Sequence, residues 1–150
     1  MKILITGGTG SLGRALVRRL LAEPRVTRIV VFSRDEVKQA EMAAEFSGEP
    51  LKFFLGDVRD RDRLEEALWG CDTVVAAAAL KRVDTVAYNP AEVLKTNYQG
   101  VKNTIDTAIR AKVARVMIIS SDKACVDYHA PVSMVGRKPV CIADLVRDKD

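Results

Sequence analysis

The sequence predicts an α/β protein, a Rossmann-like doubly wound parallel sheet of about five strands, on three observations. Short β-rich runs alternate with helical patterns, a glycine-rich stretch links the first run to the first helix, and the runs Ile29–Phe32 and Val116–Ile119 are continuously apolar. Strand–helix alternation implies a parallel sheet with helices on both faces, because right-handed crossovers place them there. A continuous apolar run suits a strand buried on both sides, and both runs are expected to be so buried.

Taken in order, Lys2–Thr6 reads as the first strand and Ser11–Ala22 as an amphipathic helix. Arg28–Ser33 is the second strand, followed by a helix over Glu36–Phe46 with apolar or small residues at helical spacing. Leu51–Leu55 is the third strand, Asp60–Leu68 a helix and Thr73–Ala78 the fourth strand. One long helix is expected around Ala91–Ala111, and the fifth strand over Val113–Ser120. The expected strand order is 3-2-1-4-5. Beyond Ala124 periodicity weakens, with Pro131, Pro139 and a charged end, Arg147-Asp148-Lys149-Asp150.

At 150 residues, 48% hydrophobic and 29% charged, the chain has the size and composition of one folded core. Its net charge of +4 is spread along the sequence without basic blocks or interleaved aromatics, so no nucleic-acid partner is expected. Cys71, Cys125 and Cys141 show no C-x-x-C spacing, and His129 is the single histidine. No metal site is expected, and a reducing cytoplasm fits. No run approaches the roughly 18 apolar residues of a membrane span, and Met1-Lys2 leads into a strand rather than a signal peptide. No membrane attachment is expected.

Thr6-Gly7-Gly8-Thr9-Gly10-Ser11-Leu12-Gly13 places G-x-x-G-x-x-G between a strand and a helix. That context is the one a dinucleotide fingerprint demands. A pyrophosphate can approach the helix N-terminus only where no side chain blocks the backbone, and the N–H groups and helix dipole there favour an anion. Gly7 is expected to make the tight turn, Gly10 to permit close approach and Gly13 to let helix and strand pack, with Thr9, Ser11 and Leu12 completing the cofactor loop. At the end of the second strand an acidic residue selects the ribose 2′-hydroxyl of NAD and a basic one the 2′-phosphate of NADP. Ser33 and Arg34 occupy that position, with Lys38 one turn on, so NADP is favoured; Asp35 keeps NAD open. Asp57 after the third strand reads either as an adenine-edge ligand or as a helix cap.

The strings "FSRDEVKQAEMAAEF", "FFLGDVRDRDRL", "AAALKRV", "YNPAEVLKTN" and "SSDKA", in this order behind the glycine loop, resemble an extended short-chain dehydrogenase/reductase. More narrowly, the chain resembles UDP-N-acetylglucosamine 4,6-dehydratases of the polysaccharide-biosynthesis, capsule-protein type, from Lys2 to Ala124. The resemblance implies NADP at the glycine loop, Arg34 and Lys38 at its 2′-phosphate, and Asp57 and Val58 beside the adenine. It places Ala77, Ala78 and Lys81 along the groove, Asn97 near the nicotinamide ribose, and Ser120-Ser121-Asp122-Lys123 beside a UDP-sugar. In such enzymes a hydride leaves sugar C4, water is lost across C5 and C6, and the hydride returns to C6, regenerating NADP. Such an elimination needs one group to take the C5 proton and another to protonate the leaving hydroxyl. By resemblance Asp122 is the acid, Lys123 the base, and Ser121 stands with them.

Tyr98 and Lys102 have the Tyr-x-x-x-Lys spacing of the wider superfamily but precede the fifth strand, so they are expected to serve packing and surface. In the usual catalytic region Met134 and Lys138 keep the Met-x-x-x-Lys spacing of the larger 4,6-dehydratases, with the intervening glycine displaced to Gly136. The organisation expected is a cofactor-binding Rossmann domain over 1–124, an irregular C-terminal segment of the same domain over 125–150, and no C-terminal substrate lobe. Two functions follow: NADP-dependent nucleotide-sugar dehydration in surface-polysaccharide synthesis, or a catalytically inactive NADP(H)-binding module acting through a partner chain. An epimerase or reductase on the same fold is less favoured, because Asp122-Lys123 is unusual there. A homo-oligomer or a partner chain is expected, since a free sheet edge invites association.

Overall fold

The computed structural model describes residues 1–46, 50–82, 87–119, 131–132 and 140–141. The run Ile3-Leu4-Ile5 makes β1 (Lys2–Thr6) the central strand of a five-stranded parallel sheet. On one side lie β2 (Arg28–Ser33) and then β3 (Leu51–Leu55); on the other, β4 (Thr73–Ala76) and then β5 (Arg115–Ile118). The order β3-β2-β1-β4-β5 is the one expected from the sequence. Thr6 pairs in register with Phe32 and with Ala76, and Phe32 with Phe54, so the carboxyl ends of four strands finish level. Strand addition reverses direction beside β1, from β2 and β3 on one side to β4 and β5 on the other, and open α/β sheets bind ligands at such a switch point.

Period-two alternation sends side chains to both faces. Ile3, Ile5, Ile29 and Val31 bury one face with Val17 of α1 (Ser11–Leu21) and Met42 of α2 (Glu36–Glu45). Leu4, Val30 and Phe32 bury the other with Leu64 and Leu68 of α3 (Arg61–Leu68) and with Ala108. Residues 29–32 are fully buried, as their continuous apolar character predicts. Asp35 caps α2 by accepting from the Lys38 N–H at 3.0 Å, and Asp60 caps α3 by accepting from the Arg63 N–H at 3.0 Å. Asp60, not Asp57, is therefore the cap of α3.

The helix expected over Ala91–Ala111 is broken into α4 (Pro90–Val93), a π-helical turn (Leu94–Gln99) and α5 (Gly100–Arg110). A Cβ on Gly100 would stand 2.5 Å from Val58 Cγ2, and the Asn103 side-chain amide donates to Val58 O and Arg59 O at 3.1 and 3.0 Å. The helix thus packs directly on the loop after β3. β4 ends two residues earlier than expected, because the Ala77 and Ala78 N–H groups donate to Thr6 Oγ1 at 3.1 and 3.3 Å. The burial expected for Val116–Ile119 is not found: these residues are 40, 58, 48 and 39% exposed, and β4 is the one described strand beside β5.

Two compact units are present, Met1–Ile119 and Ser120–Asp150. Within the second, β6 (Pro131–Val132) and β7 (Val140–Cys141) form an antiparallel pair with Pro131 opposite Cys141. The sequence offers no strand signal there. No helix among the described residues is long and apolar enough to cross a membrane.

Candidate cofactor-binding site

Gly7 turns the chain out of β1 at φ +66°, a conformation that disfavours any side chain. Its N–H donates to Phe32 O at 2.8 Å, and a Cβ there would come within 2.8 Å of Ala78 Cα. At Gly13 a Cβ would lie 2.2 Å from Gly8 O, which locks the first turn of α1 onto the loop. Gly10 differs: a Cβ there would meet only Gly7 O, at 3.3 Å. Gly10 is also the N-cap of α1 and supplies no side-chain hydrogen bond. The first-turn amides therefore have no side-chain cap and are available to an anion.

A groove of about 280 Å³ opens beside this loop. Gly7, Thr9 and Gly10 form one wall; Phe32, Ser33, Arg34, Asp35 and Lys38 form the end at β2; Gly56, Val58, Ala77, Ala78, Ala79, Lys81 and Thr96 complete it. Gln39 holds the ends of β2 and β3 together, its amide donating to Ser33 O, Ser33 Oγ and Phe54 O at 3.1, 3.0 and 2.9 Å.

Charge concentrates at the β2 end. Lys38 Nζ lies 2.7 Å from Asp35 Oδ2, and Arg34 Nη1 lies 3.4 Å from Asp57 Oδ2. Burial pushes the Asp57 carboxyl up, but hydrogen bonds from the Arg59 side chain and backbone, with the charges of Arg34 and Arg59, outweigh it and hold it below the usual carboxylate range. The side-chain and backbone hydrogen bonds of Lys38 hold Asp35 low as well.

Of the residues singled out from sequence, Gly7, Thr9, Gly10, Ser33, Arg34, Lys38, Val58, Ala77, Ala78 and Lys81 meet in the groove. Ser11, Leu12 and Gly13 form the start of α1 beside it, with Leu12 46% exposed. Asp57 sits between the lining residues Gly56 and Val58, its carboxylate engaged by arginines. Asn97 is not a lining residue: its Oδ1 accepts from Leu80 N at 2.8 Å and its Nδ2 donates to Leu80 O at 2.9 Å, bracketing the loop that carries Ala77 to Lys81. Tyr98 is 66% exposed and Lys102 pairs with Asp106 at 2.6 Å, both on the surface as expected. Ser121, Asp122, Lys123, Met134 and Lys138 lie outside the described residues.

Phe32, Gly56, Ala79 and Thr96 are lining residues that the sequence reading omits. The first two stand at carboxyl ends of predicted strands, a signal that could have found them. Thr96 is 3% exposed, and its hydroxyl has no hydrogen-bond partner among the described residues. It belongs to the π-helical turn, whose altered phase hides which residues face inward. The uncapped turn, the opening at Gly10 and the cations at one end fit a pyrophosphate-linked dinucleotide.

The chain matches the family model described as polysaccharide biosynthesis protein over residues 3–146. It is 44% identical over 134 residues to a UDP-N-acetylglucosamine 4,6-dehydratase (inverting) of Campylobacter jejuni, covering 89% of this chain and 39% of that protein. It is 42% identical over 137 residues to a UDP-glucose 4-epimerase of Rickettsia canadensis, again covering 89% and 39%. Among solved structures it superimposes on Pen from Bacillus thuringiensis with a TM-score of 0.78 and 37% identity, over 82% of this chain and 39% of that one. A dTDP-glucose 4,6-dehydratase of Streptomyces venezuelae, solved with NAD, gives 0.71 and 32% over 77% and 38%. The chain thus spans about two fifths of the length of these relatives.

Proposed function

This chain belongs to the polysaccharide biosynthesis protein family, and on that premise we propose that it serves NADP-dependent 4,6-dehydration of a UDP-sugar, UDP-N-acetylglucosamine, in surface-polysaccharide synthesis. The observation that carries the cofactor reading is the uncapped glycine cradle opening into a groove with Arg34 and Lys38 at one end. The name of the Campylobacter jejuni relative supports the substrate.

The bound dinucleotide supplies reversible hydride exchange with the sugar. Around it the backbone from Gly7 to Gly10 holds the pyrophosphate, Arg34 and Lys38 meet the 2′-phosphate, and Asp57 and Val58 flank the adenine. Ala77, Ala78 and Lys81 line the groove along the cofactor, and Asn97 fixes their loop through Leu80. Once C4 is a ketone, the C5 proton is acidified; Lys123 takes it, Asp122 protonates the departing 6-hydroxyl, and Ser121 and Lys138 position the sugar and ribose. The work is assigned to the cytoplasm, in a homo-oligomer or with a partner chain.

The Rickettsia canadensis relative favours a second reading, 4-epimerisation. Both reactions oxidise C4, but only dehydration breaks the C5–H bond and releases water. Incubation with UDP-N-acetylglucosamine in deuterated water separates them by mass spectrometry. Dehydration predicts a product lighter by one water and carrying solvent deuterium at C5, abolished in Asp122→Asn and Lys123→Ala while cofactor affinity stays nearly constant. An isomer of unchanged mass would establish epimerisation, and no product from a cofactor-loaded chain would favour the inactive module.

A further inference from the structure

Arg34 reaches toward the groove with a carboxylate beside it, since its Nη1 is 3.4 Å from Asp57 Oδ2. A phosphate drawn to Arg34 approaches Asp57 as a like charge. Arg59 covers that carboxylate: Nε and Nη2 donate to Oδ2 at 2.9 and 2.6 Å, and the Arg59 backbone N–H donates to Oδ1 at 2.9 Å. The remaining nitrogen, Nη1, donates to Glu92 Oε2 at 2.5 Å, and Lys95 holds Glu92 at 2.9 Å. Charges therefore alternate from the groove rim into α4 and the π-helical turn: Arg34, Asp57, Arg59, Glu92, Lys95. The fork on Asp57 is the stronger engagement, because charge-assisted hydrogen bonds below 3 Å far outweigh a 3.4 Å contact.

We propose that Arg59, which does not line the groove, is a specificity-determining positioning residue: by neutralising Asp57 it leaves the Arg34 guanidinium to the 2′-phosphate of NADP. This rests on the reading that Arg34 and Lys38 receive that phosphate. Among the described residues, the other cation paired with Asp57 is Arg34, at 3.4 Å. Without Arg59, the carboxylate withdraws Arg34 and repels the phosphate, while a ribose 2′-hydroxyl finds the acidic acceptor that NAD sites use.

Affinities of the full chain for NADP⁺ and NAD⁺, measured by calorimetry, test this through their ratio, in which adenine and pyrophosphate contacts common to both cofactors cancel. Arg59→Gln is expected to lower the NADP-to-NAD preference about fivefold, the size of one solvent-exposed ion-pair interaction. Asp57→Asn with Arg59→Gln is expected to restore most of it. Asp57→Asn alone, which keeps Arg59, is expected to match or exceed the wild-type preference. An unchanged ratio in Arg59→Gln overturns the proposal; so does a double variant as impaired as the single one, or a fall in Asp57→Asn alone. A wild-type chain that prefers NAD overturns the NADP reading itself and the proposal with it, an outcome visible before any variant is made.

Discussion

At the scale of single residues, two glycines of one loop do different work. A Cβ at Gly13 would press on Gly8 O at 2.2 Å, backbone against backbone, with no side chain able to yield. Gly13→Ala is expected to cost about 3 kcal/mol or more, the upper range of overpacking penalties, read as a large fall in melting temperature. Gly10 has φ −73°, and a Cβ there would meet one atom, Gly7 O, at a tight 3.3 Å. Gly10→Ala is therefore expected to lower the melting temperature far less than Gly13→Ala and to lose dinucleotide affinity, a separation that thermal unfolding and titration check together. Asp57 makes a pH prediction. Its folded pKa is lowered, so its stabilisation is complete above the unfolded carboxylate value of about 3.9 and is lost as pH falls through the lower folded value. Denaturant unfolding between neutral and acid pH is expected to show proton uptake on unfolding in that window, reduced in Asp57→Asn. The glycine spacing made Gly7, Gly10 and Gly13 legible in the sequence, because their strand-to-helix context names the backbone they need. Arg59 was not legible as anything but surface charge, since its role depends on Asp57 and Glu92, the latter 33 residues away.

At the scale of elements, the continuous apolar run of β2 announced a strand buried on both sides, and the capping aspartates Asp35 and Asp60 sit where α2 and α3 begin. The π-helical turn left no such trace, because an extra residue in one turn barely changes composition or periodicity. The early end of β4 was equally hidden, resting on the Thr6 hydroxyl 71 residues from Ala77. The bracket from Asn97 to both backbone groups of Leu80 ties the π-helical turn to the groove. Asn97→Ala is expected to cost about 1–3 kcal/mol, the penalty of unmaking hydrogen bonds of partly buried groups. Faster hydrogen exchange at the Leu80 amide and weaker cofactor binding are the readouts; protection equal to wild type would show that the bracket does not hold the loop.

At the scale of the molecule, strand–helix alternation together with the glycine fingerprint after the first strand was enough to place the strands 3-2-1-4-5, and with them the switch point where the groove opens. Burial at the β5 edge was not, because an apolar run such as Val116–Ile119 states what a strand can bury and not what lies beside it. That half-exposed strand predicts that Ile118→Lys is tolerated by the fold and reduces concentration-dependent association in light scattering, since charge on an edge strand opposes pairing. Arg34 and Lys38 stand at one end of the groove, and the proposed acid and base follow β5 in sequence. The most direct test of the whole account is calorimetric titration of the chain with NADP⁺ and with NAD⁺, each with and without UDP-N-acetylglucosamine. Tighter binding of NADP⁺ that strengthens further with the sugar nucleotide is the predicted result. Binding of neither dinucleotide, or tighter binding of NAD⁺ indifferent to the sugar, would contradict it.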